Sequence, residues 1–145
     1  RRLMGAVASE FADIIILTAE DPRDEKLFDI NTQIYENSKK TGGELVSRIT
    51  NHKDYTNTKL FTLKTLIDTT LKAEKIPVIT FDEDSVRSRE DAIDLAIRLA
   101  SKGDIVFTTG KAHEQSLAFG PEEKEYPWSE HKIIKKSLQF NKQIN

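Results

Sequence analysis

The sequence predicts an α/β fold, a mostly parallel sheet with flanking helices. Three observations lead there. Residues 14–17, 76–81 and 105–109 are apolar, β-branched runs without polar alternation, the composition of strands covered on both faces. Stretches with apolar residues at helical spacing separate those runs. Polar loops at 19–25 and 110–114 follow the first and last runs, and ligands of parallel sheets gather in loops beyond the carboxyl ends of strands.

Met4, Val7, Ala8 and Phe11 recur at i, i+3, i+4 and i+7, so a helix opens the chain with these residues as its apolar face and closes at Asp13. The strand 14–17 follows. After the loop 19–25, Leu27, Ile30 and Ile34 carry a helix to about Lys40, where Thr41-Gly42-Gly43 breaks it. Residues 44–57 are polar and mixed and suggest no element. Leu60, Leu63, Ile67 and Leu71 mark another helix, ending near Lys75. The strand 76–81 carries its Pro77 near the start, where a missing donor is tolerated. Ser88 is expected to cap the next helix, with Asp91 in its first turn and Ile93, Ala96, Ile97 and Ala100 on one face. Gly103-Asp104 ends it, 105–109 is a further buried strand, and a last helix begins near Ser129 and runs through Ile134 and Leu138.

The 145 residues give room for one domain and one core. With Lys+Arg 22 against Asp+Glu 24 the net charge is −2, too balanced for a polyanion or anionic-membrane surface. No nucleic acid and no membrane partner is expected, and the longest apolar run is far short of the roughly 20 residues that span a bilayer. The absence of cysteine excludes disulfides, thiolate metal sites and a cysteine nucleophile. His52, His113 and His131 lack metal-ligand spacing, so no metal site is expected. Arg1-Arg2-Leu3-Met4-Gly5 has neither an initiator Met nor a signal-peptide core, and it reads as a chain cut inside a larger domain.

Two loops carry the candidate chemistry. In Glu20-Asp21-Pro22-Arg23, Pro22 suits a helix's first turn and Arg23 offers a fork of donors to a carboxylate or phosphate. The same residues also suit a helix cap with Arg23 paired to Asp24 or Glu25 on the surface. Gly110-Lys111-Ala112-His113-Glu114 looks like part of a phosphate loop, but Ile105 stands where that motif needs its first Gly and Ala112 where it needs Ser or Thr. What remains is a Gly that lets backbone approach a ligand and a carboxylate, Glu114, able to accept from an ammonium. A Gly turn with a solvated charged run is the competing reading.

Together these segments resemble the C-terminal domain of the Mur ligases, in particular those that add the third amino acid to UDP-N-acetylmuramoyl-L-alanyl-D-glutamate. Arg1 to Gly5 is similar to the end of the family's Lys-Arg-Pro-x-Met-Gly, and Asp13 to Arg23 to its Ala-Asp, strand, Thr-x-Asp-Asn-Pro-Arg. Gly110 to Glu114 is similar to Gly-Lys-Gly-His-Glu. Arg89 with Ala92-Ile93 resembles Asp-Arg-x-x-Ala-Ile, and Glu125-Tyr-Pro-Trp-Ser-Glu130 stands where the family's last helix begins. The departures are Glu20-Asp21 for Asp-Asn, Ala112 for the second Gly, Ser88 for the Asp before Arg89, and a longer stretch around 50–75.

The resemblance implies a three-layer, Rossmann-like, amino-acid-binding domain over 1–145, lacking its own N-terminal part and the preceding ATP-binding and UDP-binding domains. It implies a cytoplasmic, monomeric, ATP-dependent and Mg²⁺-dependent amide-forming ligase of peptidoglycan precursor synthesis. ATP phosphorylates the dipeptide carboxylate, and the incoming amine displaces phosphate. The partners are then the UDP-N-acetylmuramoyl dipeptide and diaminopimelate or lysine. This chain would supply no catalytic residue and bind neither ATP nor Mg²⁺ by itself. Its substrate-binding residues would be Glu20, Asp21, Pro22, Arg23, Gly110 and Glu114, supported by Arg1, Arg89, Lys111 and His113. Arg23 on the distal carboxylate favours diaminopimelate; Glu114 and the Gly110 backbone would hold the distal ammonium, with Asp21 orienting the same end. The alternatives are a non-catalytic α/β binding module and a ligase of the folylpolyglutamate synthase type.

Overall fold

The computed structural model describes residues 2–111, 113–122 and 124–142, without the side chains of Arg2 and Lys142. Helix α1 (Arg2–Phe11) leads into a three-residue strand, β1 (Ile15–Leu17). Helix α2 (Leu27–Lys39), strand β2 (Gly43–Ile49), short helix α3 (His52–Asn57) and α4 (Leu60–Lys72) follow. Strand β3 (Ile76–Phe81) precedes α5 (Val86–Leu99), the hairpin β4 (Ser116–Phe119) and β5 (Lys124–Pro127), and α6 (Glu130–Lys142).

β3 lies between β1 and β2, and all three are parallel, with Ile15 and Leu45 both level with Val78. Both faces of β3 are covered, which is why its residues from Pro77 to Phe81 are apolar save one threonine and all buried. On one face Ile79 and Phe81 pack with Tyr55, Leu63, Ile67, Ala92 and Leu95 from α3, α4 and α5. α2 shares none of that cluster and packs on β2 and β3 from the other side, with α1 laid on α2. A second cluster joins Ala19, Leu27, Ile93, Leu117, Phe119 and Trp128 at the carboxyl end of β1, tying the hairpin and α6 to the sheet.

The expected helices at 27–40 and 60–75 and the expected strands at 14–17 and 76–81 are present. Elsewhere the structure differs. Residues 105–109 are not a strand: Ile105 is 90% and Phe107 83% exposed, because no strand among the described residues lies beside them to pair with. The mixed stretch 44–57 holds β2 and α3, the former recruited by ladder bonds to β3 that no side-chain pattern announces. Ser85, not Ser88, caps α5, its hydroxyl accepting from the Arg87 amide, so Asp91 falls beyond the first turn. Pro22 lies well before the first turn of α2, and that helix is capped from afar by Asp84, whose Oδ1 accepts from Leu27 N at 2.8 Å.

α1 forms where expected but is turned. Met4, Val7 and Phe11 are exposed, and Gly5 and Ser9 face α2 instead. Ser9 Oγ donates to the Gly5 carbonyl at 2.9 Å and meets Ser38 Oγ at 2.7 Å. Small residues one turn apart let the two backbones approach: a Cβ on Gly5 would press on the Ile34 carbonyl and stand 2.8 Å from Ser38 N. Gly5→Ala should therefore destabilise the chain by about 1–3 kcal/mol through overpacking, although alanine is the better helix former. Urea denaturation followed by circular dichroism checks this, with Ala6→Gly as the control for propensity alone.

Candidate functional site

Both polar loops lie at one end of the sheet, and Arg89 is what joins them. It projects from the first turns of α5 and is 4% exposed. Its Nη1 donates to the Ala19 carbonyl and its Nη2 to the Thr109 carbonyl, each at 2.8 Å. The residue ending β1's approach and the residue before Gly110 are thereby fixed to one guanidinium. The charge is met by Glu130 at the start of α6, bidentately, at 3.0 Å from Nε and 2.7 Å from Nη2. The Trp128 indole donates to the same carboxylate at 2.9 Å. Burial pushes the Glu130 carboxyl up, but the Arg89 pair and the Trp128 indole outweigh it and hold it below its ordinary value.

Lys111 makes the second link. It is 1% exposed, and its ammonium lies 2.5 Å from Asp21 Oδ2 and against Glu114 Oε2. Burial alone would lower its pKa; the hydrogen bonds to the two carboxylates reverse that and raise it. Asp21 Oδ1 also accepts from the Ala118 amide at 2.9 Å, so one carboxylate spans both loops and the hairpin. Arg23 is exposed, with its backbone fixed on both sides: its amide donates to the Ala118 carbonyl at 3.2 Å, and its carbonyl accepts from Gly120 N at 2.5 Å. Its φ of 55° is left-handed, a sparsely populated region for a side chain of this size that the hairpin enforces. Gly110 has φ 99°, and a Cβ there would meet Glu20 Cγ at 2.7 Å.

Of the residues singled out from the sequence, Glu20, Asp21, Pro22, Arg23, Gly110, Lys111 and Glu114 are brought together, with Arg89 beneath them. His113 is exposed beside them. Arg1 and Ala112 lie outside the described residues. Sequence reasoning missed Glu130 as the partner of Arg89, and the hairpin that braces Arg23; Trp128 two residues before Glu130 was the available sign. It also missed a second polar network under α2, where Asp82 takes Arg48 at 2.7 Å, Asn31 at 2.8 Å and Thr80 at 3.1 Å. The added helix α3 is fastened to α5 by His52 with Asp91 at 2.7 Å and by Tyr55 with Asp94.

The described residues do not fit a nucleotide with its metal. No group of three or more His, Asp or Glu among them could hold a cation. Lys111, placed after a glycine as a phosphate-loop lysine would be, is already enclosed by two carboxylates that would repel phosphate. No helix among the described residues is long and apolar enough to cross a membrane.

Because Glu130 sits below its ordinary 4.5 in the folded chain, its contribution to stability is complete above that pH and is lost as pH falls through the lowered native value. Asp91, raised above 3.8 chiefly by burial, acts in the opposite sense, so the two are separated by mutation. Glu130→Gln should cost about 3–5 kcal/mol at pH 7 by leaving Arg89 buried without its counter-charge, and should flatten the acid limb of stability. Urea midpoints between pH 3 and 7 for both proteins check this.

No family model and no solved structure matches the chain. Curated relatives match along nearly all of it. The UDP-N-acetylmuramoyl-L-alanyl-D-glutamate--2,6-diaminopimelate ligase of Caldanaerobacter subterraneus is 29% identical over 138 residues, 95% of this chain and 20% of the relative. The UDP-N-acetylmuramyl-tripeptide synthetase of Borreliella burgdorferi gives the same identity and coverage. The diaminopimelate ligase of Prochlorococcus marinus is 30% identical over 139 residues, 96% of this chain and 19% of the relative. The chain thus spans about one fifth of the length of the curated relatives it matches, Mur ligases that it resembles along nearly the whole of its own length.

Proposed function

We propose that this chain is the C-terminal, amino-acid-binding domain of an ATP-dependent ligase that adds the third amino acid to UDP-N-acetylmuramoyl-L-alanyl-D-glutamate in the cytoplasm. ATP, Mg²⁺ and the nucleotide-linked dipeptide would be bound by the remainder of a full-length synthetase, and this domain would present the amino acid. The observation that carries the reading is the gathering of Asp21, Arg23 and Glu114 at one sheet end, the two carboxylates held by Lys111 and Arg23 held through its backbone by the hairpin.

Each group then has a role that follows from its chemistry. Arg23, exposed and braced through its backbone, presents its fork to the distal carboxylate of diaminopimelate. Lys111 engages Oε2 of Glu114 and leaves Oε1 to accept from the distal ammonium, next to the Gly110 backbone. Lys111 and Asp21 are positioning residues here: the internal ammonium sets the direction of both carboxylates before substrate arrives, so little ordering remains at binding. Glu20, packed over Gly110, closes the loop from outside. Lysine lacks the distal carboxylate and would leave Arg23 without that partner, which is why diaminopimelate is the preferred substrate.

In the full-length enzyme, Arg23→Ala should lose roughly 2–4 kcal/mol of selection for diaminopimelate, about 30-fold to 1000-fold in kcat/KM, while lysine use changes little. Glu114→Gln should weaken both amino acids alike, since both carry the distal ammonium. Steady-state kinetics with each amino acid distinguishes the two. Equal losses for both substrates in Arg23→Ala would make Arg23 a structural residue of the loop and remove the substrate assignment.

A further inference from the structure

The stretch around 50–75, longer than in the family this chain resembles, takes no part in the substrate reading, yet it is tied to the helix that carries Arg89. Its first helix, α3, follows the carboxyl end of β2 and meets both α5 and the turn ahead of α5. The His52 amide donates to Glu83 Oε2 at 3.0 Å, and His52 Nδ1 stands 2.7 Å from Asp91 Oδ2. The Tyr55 hydroxyl donates to Asp94 Oδ2 and accepts from Arg98 Nη1 at 3.1 Å.

The geometry of α5 decides what those bonds set. At about 3.6 residues per turn, Asp91, Asp94 and Arg98 share one stripe of the helix, and Arg89 projects from roughly the opposite side. α5 is thus gripped twice, by α3 on one side and by Glu130 and the Ala19 and Thr109 carbonyls on the other. Against the sheet it is held by Ala92 and Leu95, apolar contacts that fix spacing without a preferred direction. Hydrogen bonds are directional, and that of Tyr55 starts from a fixed point, because its ring is buried in the core 5.7 Å from the Phe81 ring. Burial, and next the Asp94 bond, push the Tyr55 phenol above its ordinary pKa, so it stays a donor. The bonds from α3 therefore set the roll of α5 about its axis, and with it the direction in which Arg89 points.

We propose that α3 is a brace for the amino-acid site and that His52 and Tyr55 are positioning residues. Acting through α5, they set where the Arg89 guanidinium meets the Ala19 and Thr109 carbonyls, and so how the loops 19–25 and 110–114 face each other. The inference rests on the proposed function for what those loops bind, and on the bonds of α3 and α5 alone for how the loops are held.

Nuclear magnetic resonance on the chain tests this without any need for ligase activity. Tyr55→Phe keeps the ring in the core and removes the hydroxyl, and His52→Ala removes the other side-chain link. Each should speed exchange of the Arg89 Nε–H, held by Glu130 at 3.0 Å, by at least about 10-fold. Each should also shift the Glu20 and Gly110 amides, whose peptide carbonyls are the two that Arg89 takes. His52→Asn, whose amide nitrogen stands in for Nδ1, should restore the parent signals. Gly5→Ala, which weakens the fold at the contact of α1 with α2, is the control for lost stability and should leave the Glu20 and Gly110 amides unmoved. Parent signals in both Tyr55→Phe and His52→Ala overturn the inference. So does an equal shift in Gly5→Ala, which would make the response a general loss of stability. In a full-length synthetase, Tyr55→Phe should raise KM for the amino acid about 10-fold and leave KM for ATP unchanged. An unchanged amino-acid KM beside shifted amides would remove the amino-acid reading of the loops and leave the brace standing.

Discussion

The buried pairing of Arg89 with Glu130 is the constraint on which the rest depends. A guanidinium out of water is tolerable only with a counter-charge and wide use of its donors, and here four of the five N–H groups are used: two on Glu130, one on the Ala19 carbonyl, one on the Thr109 carbonyl. Because the two carbonyls belong to loops about 90 residues apart in sequence, satisfying one charge places both loops. Because Glu130 opens α6, the same charge anchors the last helix, and Trp128 seals the pair from water.

Above that pair the site repeats the device with a lysine. Lys111 is as buried as any core leucine, and it is held there by Asp21 and Glu114, which are themselves partly exposed. The cost of desolvating the ammonium is offset by two short charge-assisted bonds, and the consequence is direction: both carboxylates are aimed before any ligand binds. The hairpin β4–β5 completes the arrangement by forcing Arg23 into a left-handed conformation, a local strain that the clamps from Ala118 and Gly120 sustain. A site assembled this way is held at its base by buried charge pairs and exposed at its rim.

The sheet edge next to the site shows what happens where such satisfaction is incomplete. β1 has three residues and one partner, the run after Gly103 has none, and two polar atoms face the cleft between them without bonds. Apolar residues of α1 point outward because the face that approaches α2 closely is the one carrying Gly5 and Ser9. Arg89 and Lys111 hold the loops in place despite this open edge, because Arg89 takes the Ala19 and Thr109 carbonyls that flank it and Lys111 takes Asp21 and Glu114.

The residue order alone carried the α/β class, the strands at 14–17 and 76–81, the helices at 27–40 and 60–75, and the two loops that meet. These rest on local rules: uninterrupted β-branched runs, helical periodicity, and motifs whose chemistry is set by residue type and spacing. Tertiary structure decided the remainder. β2 exists because β3 offers it a ladder, Ser85 rather than Ser88 caps α5 because of where the chain leaves Asp84, and α1 turns its glycine rather than its methionine inward because backbone approach outweighs side-chain hydrophobicity there. The run 105–109 has every local property of a buried strand and is not one, since a strand is stable only when a neighbour takes its hydrogen bonds, and no local pattern in the run specifies that neighbour.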